Sequence, residues 1–297
     1  MRRDNPGRGH RQVVMLDLKR RLDILRGQDR PLRFLLAQCL RRTRLCRFFR
    51  IPLQDCVLHF HPSALSAALW MNPGDRQRDS AFLARYLTEG DVYIDVGANI
   101  GSTAVPASRL VGKSGLVLAF EPHPRIYRFL LDNLRLNRCG NVTSYPVALG
   151  EQEATAAFSD LSPDDENRVL TTLGPLQVAM QPLDHYTRSL DHVALLKIDV
   201  EGYEKQVILG AEETLARTAC LYFEADQRLC SRYGYPIDDL LRLLAARGFT
   251  VFMRTEDTKA RRLEPGMLRE GTPDNLIAIR DVPDFVRRTG WELTDRR

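Results

Sequence analysis

From residue 92 onward, short runs rich in β-branched and aromatic residues alternate with longer stretches whose apolar residues recur at helical spacing. The strand-like runs are 92–96, 115–122, 142–149, 193–200, 219–226, 249–253 and 275–280, and helical patterns fall at 78–88, 102–110, 124–136, 203–216 and 236–247. Strands apolar on both faces and joined through helices cannot leave either face in water. The alternation therefore predicts an α/β fold, a parallel sheet with helices on both faces.

The stretch before this alternation has a different character. Residues 1–50 carry 15 Lys/Arg against 4 Asp/Glu, a net +11, whereas the remaining residues sum to −6. Helices are predicted over 12–27 and 31–50, the second opening at Pro31 with Leu32, Leu35, Leu36, Cys39 and Leu40 roughly on one face. An arginine-rich run, RRTRLCRFFR, closes it with Phe48 and Phe49. Such a basic helical extension admits three readings: a cap packed on the main domain, a helix lying on an anionic membrane surface, or a nucleic-acid arm. A Pro73-Gly74 joint divides the chain into an extension, 1–74, and a catalytic-type domain, 75–297.

Six cysteines without C-x-x-C spacing suggest neither a zinc knuckle nor a disulfide framework. There is no run of eighteen apolar residues and no secretory apolar core near the start, so the expected location is the cytoplasm, with peripheral membrane contact through residues 1–50.

In an open parallel sheet, ligands sit beyond the carboxyl ends of the strands where strand order reverses. The first strand ends at Asp95-Val96 and turns through Gly97-Ala98-Asn99-Ile100-Gly101. Asn99 stands where a dinucleotide fingerprint needs a second glycine for close approach of a pyrophosphate, which argues against a dinucleotide. The second strand ends in Glu121-Pro122, and a carboxylate there can accept both hydroxyls of a ribose. Asp199 ends a strand expected beside the first, so its carboxylate would enter the same cleft; capping of the next helix by Asp199 or Glu201 is the structural alternative. The polar segment 159–176 reads as a lid or substrate loop, or as a surface excursion.

Together these stretches resemble the FkbM-type methyltransferases. The matching residues are YIDVGANIGS (93–102), LAFEPHP (118–124), NLRLN (133–137), VALGE (147–151), LLKIDVEGYEKQVILGAEETL (195–215) and YFEAD (222–226). The resemblance spans about residues 78–281. It implies a class I methyltransferase (Rossmann-like) fold with a seven-stranded sheet whose last strand, 275–280, is antiparallel, and it implies S-adenosylmethionine as cofactor. By motif position, Asp95, Gly97, Ala98, Asn99 and Gly101 would surround its methionine part, Glu121 with Pro122 its ribose, and Ala148 its adenine.

Transfer to a hydroxyl gains from a general base that removes the proton as the new bond forms. Asp199 and Glu201 are the candidates, with Glu224 and His123 behind them. The expected acceptor is a hydroxyl of a sugar, glycolipid or polyketide-like metabolite. Nucleic acid is disfavoured, because neither the Pro-Pro-aromatic signature of amino-methylating enzymes nor a cysteine nucleophile at the cleft is present. Asp199, Glu224 and Asp226 would serve a metal-assisted mechanism, but no metal ligand is assigned, since strand-end carboxylates are common without one. The non-enzymatic alternative is a cofactor-binding scaffold docking on membrane or RNA through its arm.

Overall fold

A computed structural model describes residues 30–295 apart from 54, 75–76, 163 and 269–273; the helix expected over 12–27 lies outside the described residues. In chain order the strands are β1 (Arg50–Leu53), β2 (Cys56–His59), β3 (Val92–Val96), β4 (Leu116–Phe120), β5 (Val142–Tyr145), β6 (Ala148–Leu149) and β7 (Ala154–Phe158). Then come β8 (Leu176–Gln181), β9 (Val193–Ile198), β10 (Thr218–Ala225), β11 (Thr250–Glu256), β12 (Lys259–Arg262), β13 (Asp274–Ile279) and β14 (Glu292–Thr294).

The main sheet runs β14-β12-β11-β13-β10-β9-β3-β4-β5. Strands β5, β4, β3, β9 and β10 are mutually parallel, and β13 is antiparallel to both β10 and β11. The seven strands of the class I methyltransferase sheet are thus present, with β13 as the reversed one. Two further strands, β12 and β14, lengthen the β11 edge, so the sheet has nine strands rather than seven.

Alternate residues of the central strands feed two separate buried clusters, as the period of a strand requires. Tyr93, Leu195 and Tyr222 join the first, and Ile94, Leu196 and Leu221 the second. The first cluster also takes in Ala37, Leu40, Ile51, Leu58 and Phe60. Residues 37–60 of the extension therefore pack on one face of the sheet. Asn133 and Asn137 of helix Pro124–Asn137 hold the β1–β2 hairpin there: Asn133 Oδ1 accepts from His59 N at 2.8 Å and Asn137 Nδ2 donates to the Val57 carbonyl at 2.7 Å.

Three predicted elements break for identifiable reasons. The helix over 31–50 ends at Arg42, where the Thr43 hydroxyl folds back onto the Cys39 carbonyl at 2.8 Å and Arg44 turns left-handed. A single turn, Leu45–Phe48, and β1 follow, β1 burying Ile51 against the domain. The run 142–149 divides at Pro146, which has no N–H for a ladder, so β6 leaves the main sheet and pairs with β8 in a small β6-β8-β7 sheet. The helix over 203–216 becomes Glu204–Leu209 and Glu212–Ala216. Between them, a Cβ on Gly210 would lie 2.0 Å from the Gly150 carbonyl oxygen, so the chain there admits only glycine.

Candidate active site

Strand order reverses between β3 and β9: the chain leaves β3 toward β4 on one side and returns to β9 on the other. A cavity opens at the carboxyl ends of these strands, walled by Gly97, Ala98 and Asn99 of the first turn, Glu121 and Pro122 after β4, and Ala148 of β6. Asp199 and Glu201 after β9 and Glu224 at the end of β10 line the same cavity. Asp95 and Gly101 are not on the wall. They stand behind the turn and shape it.

Asp95 is fully buried; its Oδ2 accepts from the Thr103 hydroxyl at 2.6 Å, and its Oδ1 lies 3.6 Å from Lys197 Nζ. Burial pushes its carboxyl up, with the Lys197 charge opposing. Gly97 has φ +80, and a Cβ on it would fall 1.9 Å from the Asp199 carbonyl oxygen, so the glycine lets the first turn lie directly on the end of β9. Gly101 serves helix contact instead, since its Cβ would meet Leu130 at 2.8 Å. Asn99 is left-handed at φ +48, a conformation its short polar side chain tolerates, and this aims its N–H at Glu121 Oε2, 3.0 Å away.

Glu121 is thereby bound on both oxygens, Oε1 accepting from His123 N at 2.8 Å. Burial pushes its carboxyl up to about 7 despite those two donors. His123 itself caps helix Pro124–Asn137, its Nδ1 accepting from Arg125 N at 3.2 Å, and its Nε2 lies 3.2 Å from Asp160.

On β9, Lys197 is the cation that sequence reasoning missed. It is 3% exposed, and its Nζ lies 3.1 Å from Asp199 Oδ2 as well as near Asp95. A lysine inside the otherwise apolar run VALLKIDV was the available signal, because a buried ammonium needs carboxylate partners. Neither Asp199 nor Glu201 is the carboxylate that caps the turn after β9. That is Glu204, 1% exposed, whose Oε1 accepts from Val200 N and Gly202 N, both at 3.2 Å. Glu201 is instead thrown toward the cavity from a left-handed position at φ +58. Burial, reinforced by the Asp199 charge, pushes its carboxyl up to about 7, while Arg232, 3.9 Å away, opposes.

Glu224 rises well above the usual carboxylate range, through burial and the charges of Asp199 and Glu201, and its Oε2 has no hydrogen-bond partner among the described residues. Oxygens of Asp199, Glu201 and Glu224 lie within 4.8 Å of one another, a spacing that a hydroxyl donor placed between them could bridge and that a hard cation could also use. Asp226 does not join them; it accepts from Arg228 at 2.6 Å and caps helix Gln227–Ser231. Segment 164–169 also lines the cavity, and Leu65 of the extension adds to its wall. Asp164 joins the two through its Oδ1, which accepts from Ala64 N at 2.5 Å.

A family model described as the methyltransferase FkbM domain matches residues 95–251, a little over half of the chain. The protein belongs to the FkbM methyltransferase family. It is 31% identical over 175 residues to 2-O-methyltransferase NoeI of Sinorhizobium fredii (strain NBRC 101917 / NGR234), a match covering 52% of this chain and 70% of that protein. It is 26% identical over 145 residues to Methyltransferase 1 of Beauveria bassiana (strain ARSEF 2860), covering 40% of this chain and 58% of that one. Among solved structures, the methyltransferase FkbM from Methylobacillus flagellatus KT superposes at a TM-score of 0.42 with 15% identity, covering 85% of this chain and 60% of that one.

As an FkbM methyltransferase the protein uses S-adenosylmethionine. The residues present suit that cofactor at Glu121. A carboxylate has about four acceptor sites and only two here are taken by backbone N–H groups, so one on each oxygen is left for a pair of vicinal hydroxyls. All six cysteines are unpaired, with Cys220 buried away from the cavity, and no helix among the described residues is long and apolar enough to cross a membrane.

Proposed function

We propose that the protein is an O-methyltransferase acting on a hydroxyl of a neutral polyol, a sugar or glycolipid in the first instance. The observation that carries this reading is the meeting of Asp199, Glu201 and Glu224 in the cavity that Gly97, Ala98, Asn99 and Glu121 also line. A wall of three carboxyl groups offers hydrogen-bond partners to several hydroxyls at once, and the charge on Asp199 and Glu201 repels a phosphate backbone, which disfavours nucleic acid. That the NoeI relative is by name a 2-O-methyltransferase accords with oxygen as the receiving atom.

The cofactor supplies an electrophilic methyl on a sulfonium. In this reading Glu121 accepts from the ribose hydroxyls, Pro122 and Ala148 flank the nucleoside, and Gly97, Ala98 and Asn99 line the amino-acid end, with Asp95 and Gly101 fixing the turn behind them. Glu201 takes the proton from the acceptor hydroxyl. A base near pKa 7 combines a substantial ionised fraction with enough basicity to help at neutral pH. Asp199, ion-paired to Lys197, raises the basicity of its neighbour Glu201. Glu224 keeps its proton and donates a hydrogen bond to a second oxygen of the acceptor. The transfer itself is a displacement, so the remaining work is alignment in a dry cavity, which segment 164–169 and Leu65 would close. Residues 1–74 form an extension of the domain 75–297, its Leu65 reaching the cavity, and through residues 1–50 the enzyme reaches a lipid-linked acceptor at a membrane surface.

The test is methyl transfer from labelled S-adenosylmethionine to a panel of glycolipids, sugars and RNA, with Glu201→Gln and Asp199→Asn beside the wild type. Labelled polyol, with turnover lost in both variants while cofactor binding persists, supports the reading. Labelled RNA, or near-normal turnover in both variants, removes it. Cofactor binding without any labelled product would favour the scaffold alternative.

A further inference from the structure

Helix Pro31–Arg42 carries two apolar stripes. Ala37 and Leu40 are buried, and the helix packs on helix Ala64–Met71. Leu32, Leu35 and Leu36, at i, i+3 and i+4, form the outward stripe, Leu32 being 82% exposed. The turn Leu45–Phe48 continues that surface with Leu45, Phe48 at 69% exposure, and Phe49 beyond it. Six of the eight large hydrophobic side chains exposed among the described residues lie between 32 and 49. Singly scattered apolar residues on a surface need no explanation, but a cluster does.

The same stretch, 30–50, contains seven arginines and no aspartate or glutamate. Arg42, Arg44, Arg47 and Arg50 are exposed among the leucines and phenylalanines. We propose that this face docks on an anionic bilayer surface, with Leu32, Leu35, Leu36, Leu45 and Phe48 entering the interface and Arg42, Arg44, Arg47 and Arg50 meeting lipid phosphates. The occupant follows from the mixture. A polyanion such as RNA would satisfy the arginines and leave the leucines in water, whereas the interface of an anionic bilayer takes both kinds of side chain.

Docking there would also orient the cavity. Helix Ala64–Met71, on which the outer helix rests, places Leu65 in the cavity wall and its first N–H on Asp164 of the lining segment 164–169. The bilayer would thus be held on the side of the molecule from which a lipid-linked acceptor must arrive. This orientation rests on the acceptor reading above; the docking face does not.

The test is co-sedimentation of the full chain with vesicles of phosphatidylcholine alone and of phosphatidylcholine containing phosphatidylglycerol. Calorimetric titration with S-adenosylmethionine monitors the cavity of every variant independently. Binding is expected only with phosphatidylglycerol present. The triple change Arg42→Gln, Arg44→Gln and Arg47→Gln should lower partitioning about a hundredfold, roughly fivefold per arginine. The triple change Leu32→Ser, Leu36→Ser and Phe48→Ser should lower it at least about tenfold, because each burial lost weakens insertion. Phe48→Trp should show a blue-shifted emission on adding anionic vesicles. Absence of binding, binding that survives the apolar triple change, an unshifted Trp emission, or loss only on deletion of residues 1–29 would each overturn the proposal. Partitioning retained with cofactor titration lost would refute the cofactor assignment and leave the docking face standing.

Discussion

Replacing Glu121 with glutamine separates cofactor recognition from folding at one position. In the wild type each carboxylate oxygen accepts one backbone N–H, from Asn99 and from His123. A glutamine keeps the shape but turns one of its ends into an NH₂ group facing a donor. The orphaned N–H costs about 1–3 kcal/mol. Against this, the native carboxylate is itself disfavoured by burial, its pKa pushed up to about 7 from 4.5. That shift corresponds to roughly 3 kcal/mol of destabilisation once the group is ionised. The two effects oppose and are of similar size, so the thermal midpoint of Glu121→Gln at neutral pH should stay close to wild type. Cofactor binding has no such compensation. Two hydrogen bonds to a charged acceptor contribute about 1.5–3 kcal/mol each, so affinity should fall at least about a hundredfold. The wild type should also bind about tenfold more weakly at pH 6 than at pH 8, because the hydroxyls need the ionised carboxylate and its fraction falls below the pKa. Glu121→Gln should lack that dependence. Isothermal titration across this range, with a thermal melt at each pH, reads both quantities. Wild-type affinity independent of pH, or a variant that binds as tightly as wild type, would refute the reasoning.

Glu201, with its carboxyl at about 7, must be ionised to act as base, so the rate should climb with pH through that value, and Glu201→Gln should lose the climb together with about 10²–10⁴ of the turnover. Glu121, Glu201 and Glu204 all hold protons in the folded chain that the unfolded chain has released between about pH 4.5 and 7. Stability of the cofactor-free protein should therefore decline as pH rises through that interval, which denaturant titration at about pH 5.5 and pH 8 measures; a rise would contradict the burial assigned to these groups. Gly97→Ala would place a Cβ against the Asp199 carbonyl at φ +80, and a loss of more than about 3 kcal/mol in urea unfolding is expected. Asn133→Ala removes the acceptor for His59 N and the donor to the Ile100 carbonyl, and should cost about 2–4 kcal/mol while exposing the β1–β2 hairpin to hydrogen exchange.

The sequence alone determined the order of layers and the half of the site that is built from backbone turns. Apolar runs bounded by Asp95, Glu121 and Asp199 have to be buried strands whose polar ends emerge on one edge, and a turn containing Gly97 and Gly101 has to be tight. Only the tertiary structure decided which groups face the cavity. Asp95 and Gly101 lie in the same motif as Gly97 yet stand behind it, because one pairs with Thr103 and Lys197 and the other abuts Leu130. Glu204 rather than Asp199 or Glu201 caps the turn after β9, a matter of which carboxylate reaches two N–H groups once Gly202 has turned the chain at φ +101. Glu224 joins Asp199 and Glu201 only because β10 lies beside β9, and Leu65 reaches the wall only because the extension folds across the sheet. Local pattern fixes what each segment buries; long-range pairing fixes which side chains meet, and neighbours brought from 25 or 100 residues away leave no periodic trace in the chain.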